Sequence, residues 1–168
     1  AQSALIFVII NSLLFVAVTW LINPLCFYLS PVALLVILGY SFTKRFTFLC
    51  HFVLGLGLSL APIGAYLAAG GGFDTIPILY SFAVLCWVSG FDIIYALQDE
   101  EFDKSLALHS VPVAMGKQRA LYLSTFLHII CASLIILAGV YLLIDGKRLR
   151  STQHPVRYLN TVQTTLKS

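Results

Sequence analysis

Asp92, Tyr95, Asp99 and Asp103 follow one another at spacings of three, four and four residues, and Lys44 and Arg45 stand side by side earlier in the chain. On a continuous helix the first set predicts one polar face over about three turns. Carboxylates on one stripe repel one another and are costly beside lipid unless a cation compensates them. A bound divalent cation is the natural counterion. Carboxylate oxygens without sulfur or clustered imidazole favour Mg²⁺ or Mn²⁺ over zinc, and Mg²⁺ keeps several waters and bridges to phosphate. Plainer roles exist for each residue: a salt-bridge partner for Asp92, an interface aromatic for Tyr95, a solvated cap for Asp103. Glu100 and Glu101 fall off the stripe and are expected as solvated bystanders.

Five of the seven acidic residues lie between Gly90 and Lys104. The remainder of the 168 residues is greasy: 60% of the chain is hydrophobic and 10% is charged. Soluble domains carry about 25% charged residues, so a water-facing surface is excluded and a lipid-facing one is expected. Long uncharged stretches predict an all-α, polytopic transmembrane bundle of about five spans, over 1–22, 25–42, 51–69, 76–98 and within 117–144. Residues 1–146 form this domain, and the basic tail 147–168 is expected to be unfolded or surface-bound. Apolar from its first residue and without a basic leader, the sequence reads as beginning partway through a larger protein.

Asn23-Pro24 predicts a tight turn between the first two spans. Pro31 predicts either a kink or a helix that starts near Ser30. Asn11, inside hydrocarbon, is expected to find a partner on a neighbouring helix or in a wet cavity. Gly55, Gly57 and Gly64, with Pro62, predict close helix approach in the third span. The four cysteines have no metal-ligand spacing and read as small buried hydrophobes. The net charge of +3 implies no nucleic-acid partner, because cations beside spans follow topology and anionic lipid.

Lys44-Arg45 reads as a positive-inside anchor or an anion clamp, and His109 as a loop surface residue or a phosphate donor. Five alternating spans place Lys44, Arg45, Lys104, Lys117 and Arg119 on one side and five tail cations on the other. With the count tied, the loops between spans are weighted over the tail, which puts Lys44 in the cytoplasm.

These motifs resemble those of UbiA-type intramembrane aromatic prenyltransferases, most closely the 4-hydroxybenzoate polyprenyltransferases of quinone biosynthesis. Tyr40 to Thr47 is similar to the family's Tyr-x-x-Thr/Met-Lys-Arg-x-Thr loop. Asp92-x-x-Tyr95-x-x-x-Asp99-x-x-x-Asp103 is similar to its second aspartate-rich motif, and His109-Ser110-Val111-Pro112 with Gly116 fits the segment that follows. The resemblance covers about residues 1–144 and implies part of a usually nine-span fold, without a counterpart of the first aspartate-rich motif. It implies Mg²⁺ held by Asp92, Asp99 and Asp103, and a diphosphate met by Lys44, Arg45, Tyr95 and His109. The implied reaction is transfer of a polyprenyl group from polyprenyl diphosphate to an aromatic acid, for ubiquinone or menaquinone, at the cytoplasmic face of a bacterial inner membrane. The alternatives are a cation-coupled transporter fragment, which would hold its charges near the bilayer midplane, and an inactive structural segment.

Overall fold

The computed structural model describes the backbone of residues 2–165 and the side chains of 2–40 and 42–145. The chain forms α1 (Gln2–Ile22), α2 (Pro24–Thr43), α3 (Cys50–Ala68), α4 (Thr75–Ala96), α5 (Glu100–Ser105), α6 (Val111–Met115) and α7 (Lys117–Thr165). Among the described residues there is no strand. Four stretches, Gln2–Ile22, Cys50–Ala68, Thr75–Ala96 and Lys117–Asp145, are long and apolar enough to cross a membrane, and the apolar part of α2, Pro24–Tyr40, is shorter. Four of the five expected spans are met by these helices, and α2 forms over the remaining one, 25–42, with a shorter apolar run. Large apolar side chains face outwards, with Phe7, Trp20 and Leu21 of α1 each more than two-thirds exposed, as lipid requires and water would not allow. The tail expected to be unfolded continues α7 as helical backbone as far as Thr165, and whether it lies on a surface falls outside the described side chains.

Helix α4 is the centre of the bundle, packed between α3 and α7. Its Ala83, Cys86 and Ile93 meet Ala120, Leu127 and Cys131 of α7 and Val111 of α6 in one buried cluster. Two glycines set the spacing. A Cβ on Gly55 would lie 2.7 Å from the Leu85 carbonyl oxygen, and one on Gly90 would lie 2.7 Å from the His128 ring. Both contacts require the missing side chain. Gly64 has open space around it, and Gly57 makes ordinary contact with Ile37, so only Gly55 meets the expectation for the third span.

The turn at Asn23-Pro24 is an N-cap: Asn23 Oδ1 accepts from the Cys26 N–H at 2.8 Å, and its amide donates to the Leu67 carbonyl on α3. Helix α2 starts there and passes through Pro31, so the later start is excluded. Proline has no N–H for the Phe27 carbonyl, and the Ser30 hydroxyl donates to that oxygen instead, at 2.8 Å. Asn11 needs no neighbouring helix, because its amide donates to the Phe7 carbonyl one turn back. The described cysteines are unpaired, and Cys50, Cys86 and Cys131 are buried.

The connection from α2 to α3 and the long one from α4 to α7 lie at the same end of the bundle. The His109 N–H donates to the Lys44 carbonyl at 2.8 Å and joins them. Gly116, at φ +80°, turns the chain from α6 directly into α7 in a conformation that costs glycine little.

Candidate active site

The acidic stripe does not form as one helix. Helix α4 ends at Ala96, with three-residue hydrogen bonds from Leu97 to Ile94 and from Gln98 to Tyr95, and α5 restarts at Glu100. The physical reason lies in the sequence of charges. Four carboxylates continuing α4 would crowd the negative end of its dipole, whereas a break places Glu100, Glu101 and Asp103 in the first turn of α5, where negative charge is favoured.

The break divides the predicted residues. Asp92 and Tyr95 remain on the last turns of α4, and Asp99 sits at the junction. All three line a cleft of about 780 Å³ between α2, α3 and α4, together with Tyr40 and Lys44. Deeper along the helices its wall is apolar, with Leu54, Leu58, Trp87, Val88 and Phe91. The Tyr95 ring leans on Phe91, centroids 4.8 Å apart, and is itself half exposed.

Asp103 takes a different place. Its carboxylate is fully buried, outside the cleft wall, and Lys44 Nζ lies 2.8 Å from Oδ1. Neither carboxylate oxygen receives a directed hydrogen bond, so the ammonium charge is its compensation. Arg45 and His109 are exposed and neither lines the cleft. His109 serves through its backbone, donating to Lys44 and accepting from the Cys50 thiol.

Two residues escaped the sequence reading. Glu100 is buried rather than solvated. Lys104 donates to Oε1, and Lys117 lies 3.7 Å from Oε2. The hydrogen bond from Lys104 holds this carboxyl below the usual carboxylate range, and the Lys104 and Lys117 charges add to the effect against the penalty of burial. The i, i+4 spacing of Glu100 and Lys104 was the available signal. The second is His51, in the first turn of α3, 2% exposed, with Nδ1 2.7 Å from Asp92 Oδ2. An imidazole opening an apolar span was its only trace.

The donor chemistry admits a hard cation but not a closed cage. Among the described residues no three His, Cys, Asp or Glu side chains converge as a metal site. Asp92 and Asp99 both face the cleft, and Mg²⁺ is commonly held by one or two carboxylates with waters and substrate phosphate completing its shell. The pair fits that pattern, and Asp103 is turned away from it. A cleft with charge at its mouth and hydrocarbon below suits an amphipathic anion with an apolar tail. The charged groups gather at one end of the bundle rather than halfway along the spans, unlike the midplane sites of coupled transporters.

Residues 1–147 match the UbiA prenyltransferase family. A 4-hydroxybenzoate octaprenyltransferase of Francisella tularensis subsp. novicida (strain U112) is 32% identical over 130 residues, 76% of this chain and 44% of that protein. The protein of the same name from Tolumonas auensis is 32% identical over 124 residues, covering 74% and 43%. The apo structure of a UbiA homolog from Aeropyrum pernix K1 superposes with a TM-score of 0.76 at 34% identity, over 83% of this chain and 54% of that one. The chain therefore spans less than half the length of these curated relatives.

Proposed function

This chain belongs to the UbiA prenyltransferase family, and on that footing we propose that its cleft binds a polyprenyl diphosphate and serves transfer of the prenyl group to an aromatic acid such as 4-hydroxybenzoate. The observation that carries the reading is the arrangement of Lys44, Asp92, Tyr95 and Asp99 over a wall of Leu54, Leu58, Trp87 and Phe91. The apolar wall accommodates the tail, and the charged mouth receives the diphosphate.

Lys44 meets the diphosphate oxygens as a point charge. Tyr95 presents a hydroxyl at the mouth that donates to the same oxygens or orients a neighbouring carboxylate. Arg45, exposed beside Lys44, attracts anionic substrates over a longer range, and His109 stands in reach of the same loop. Asp92 and Asp99 would hold Mg²⁺, which supplies positive charge against the diphosphate as it leaves. In the reaction the allylic C–O bond breaks with its electron pair going to diphosphate. The electron-rich ring then bonds to the allylic carbon and loses a proton. Groups placed in advance where charge develops stabilise that step without reorganisation.

The relatives' name, 4-hydroxybenzoate octaprenyltransferase, supports the acceptor class and a role in quinone biosynthesis. A location in the bacterial cytoplasmic membrane, with the cleft mouth in the cytoplasm, is supported by the cations Lys44, Arg45, Lys104, Lys117 and Arg119 at that end of the bundle. The test is incubation of the protein in lipid nanodiscs with polyprenyl diphosphate, 4-hydroxybenzoate and Mg²⁺, read by mass spectrometry. Prenylated 4-hydroxybenzoate that disappears on chelation is expected. Absence of product together with absence of Mg²⁺-dependent binding of the diphosphate would refute the reading.

A further inference from the structure

His51 belongs to none of the roles above, yet it is among the least exposed polar side chains of the protein, at 2%. Both of its ring nitrogens are engaged. Nε2 lies 3.2 Å from the backbone N of Val111, and Nδ1 lies 2.7 Å from Asp92 Oδ2. The Val111 N–H can only donate, so Nε2 is the acceptor and the ring hydrogen sits on Nδ1. Nδ1–H therefore donates to the carboxylate. Val111 opens α6, and its N–H is one of the orphan donors of a helix start. A buried donor of this kind needs a partner, and the imidazole provides it.

We propose that His51 is a positioning residue for Asp92, a role that rests on the reading of the cleft given above. The relay runs from the Val111 N–H through the imidazole to Asp92 Oδ2 and joins α6, α3 and α4 at the depth where the cleft changes from polar to apolar. Its consequence is directional. With Oδ2 held from the α3 side, Oδ1 is the oxygen left for a cation or a ligand in the cleft. A carboxylate on the last turns of α4 otherwise rotates about two side-chain torsions, and fixing it in advance lowers the cost of forming a site.

Asparagine and leucine separate this role from a merely structural one. His51→Asn keeps an N–H donor at the place of Nδ1 and loses the acceptor for Val111. His51→Leu loses both. The experiment measures binding of a polyprenyl thiodiphosphate to the protein in nanodiscs as Mg²⁺ is titrated, with a thermal melt of each variant and Asp92→Asn as reference. His51→Leu is expected to raise the half-maximal Mg²⁺ concentration about tenfold, the scale of one charge-assisted hydrogen bond. His51→Asn is expected to recover most of that loss, although both variants melt earlier than the parent. The proposal is overturned if His51→Leu leaves the Mg²⁺ midpoint unchanged, or if His51→Asn is as impaired as His51→Leu, since His51 then serves only the Val111 segment. A fully competent Asp92→Asn would instead remove the underlying reading of the cleft, an outcome distinct from either.

Discussion

Lys44 Nζ stands 2.8 Å from Oδ1 of Asp103, whose side chain has no solvent exposure, while about a third of the lysine side chain remains exposed. The pair is asymmetric in its dependence on water. Removing the lysine strands a buried carboxylate, whereas removing the carboxylate leaves an ammonium that can turn to solvent. Breaking a buried ion pair from the costly side destabilises by about 3–5 kcal/mol. Lys44→Met is therefore expected to lower stability by about that amount, and Asp103→Leu by clearly less. The double variant is expected to be more stable than Lys44→Met alone. Equal losses in thermal melts of the two single variants would count against the asymmetry.

The same pair bears on ligand binding. Asp103 faces Lys44 rather than the cleft, so Asp103→Asn is expected to weaken diphosphate binding through a displaced lysine while leaving the Mg²⁺ midpoint near its original value. Asp99→Asn is expected to shift that midpoint. Isothermal titration with polyprenyl thiodiphosphate at several Mg²⁺ concentrations separates the two effects. A larger midpoint shift for Asp103→Asn than for Asp99→Asn would restore Asp103 to the metal.

Glu100 gives a pH dependence whose sign is fixed. Lys104 first and Lys117 second lower its carboxyl from the ordinary value of 4.5. A carboxyl depressed in the folded state contributes stability above its unfolded value and loses it as pH falls through the folded one. Wild type is thus expected to melt above Glu100→Gln at neutral pH, with the gap closing below about pH 4.5. A gap that widens on acidification would contradict the assignment.

Two glycines give a packing test. Gly55→Ala drives a methyl towards the Leu85 carbonyl, and Gly90→Ala drives one into the His128 ring. Overpacking of this kind costs about 1–3 kcal/mol. Gly64→Ala meets nothing within 4 Å, and in a helix it is expected to be neutral or stabilising by about 0.5–1 kcal/mol. Melts of the three variants in one detergent provide the comparison. Equal behaviour of Gly55→Ala and Gly64→Ala would contradict the close α3–α4 approach.

The helices and the cleft were legible in the sequence to different depths. Runs of uncharged apolar residues located five long helices, because lipid imposes one requirement on every turn of a span. Spacing alone linked Asp92, Tyr95 and Asp99, and all three do line the cleft. It failed for Asp103, because periodicity assumes an unbroken helix and the chain relieves its crowded carboxylates by starting a new one. Helix α2 passing Pro31 was hidden because the compensating Ser30 hydroxyl is a detail of rotamer, not of pattern. His51 was hidden because its partners, Asp92 and the Val111 N–H, lie 41 and 60 residues away and no local spacing connects them.

The central claim is that Asp92, Asp99 and Lys44 make the mouth of this cleft a site for a metal-bound prenyl diphosphate. It is tested most directly by titrating polyprenyl thiodiphosphate into the protein in nanodiscs with and without Mg²⁺, for the parent, Lys44→Ala and Asp92→Asn. Saturable binding that requires Mg²⁺, is abolished by Asp92→Asn and is weakened at least about tenfold by Lys44→Ala is the predicted result. Equal binding in the presence and absence of Mg²⁺, unchanged by either substitution, would contradict it.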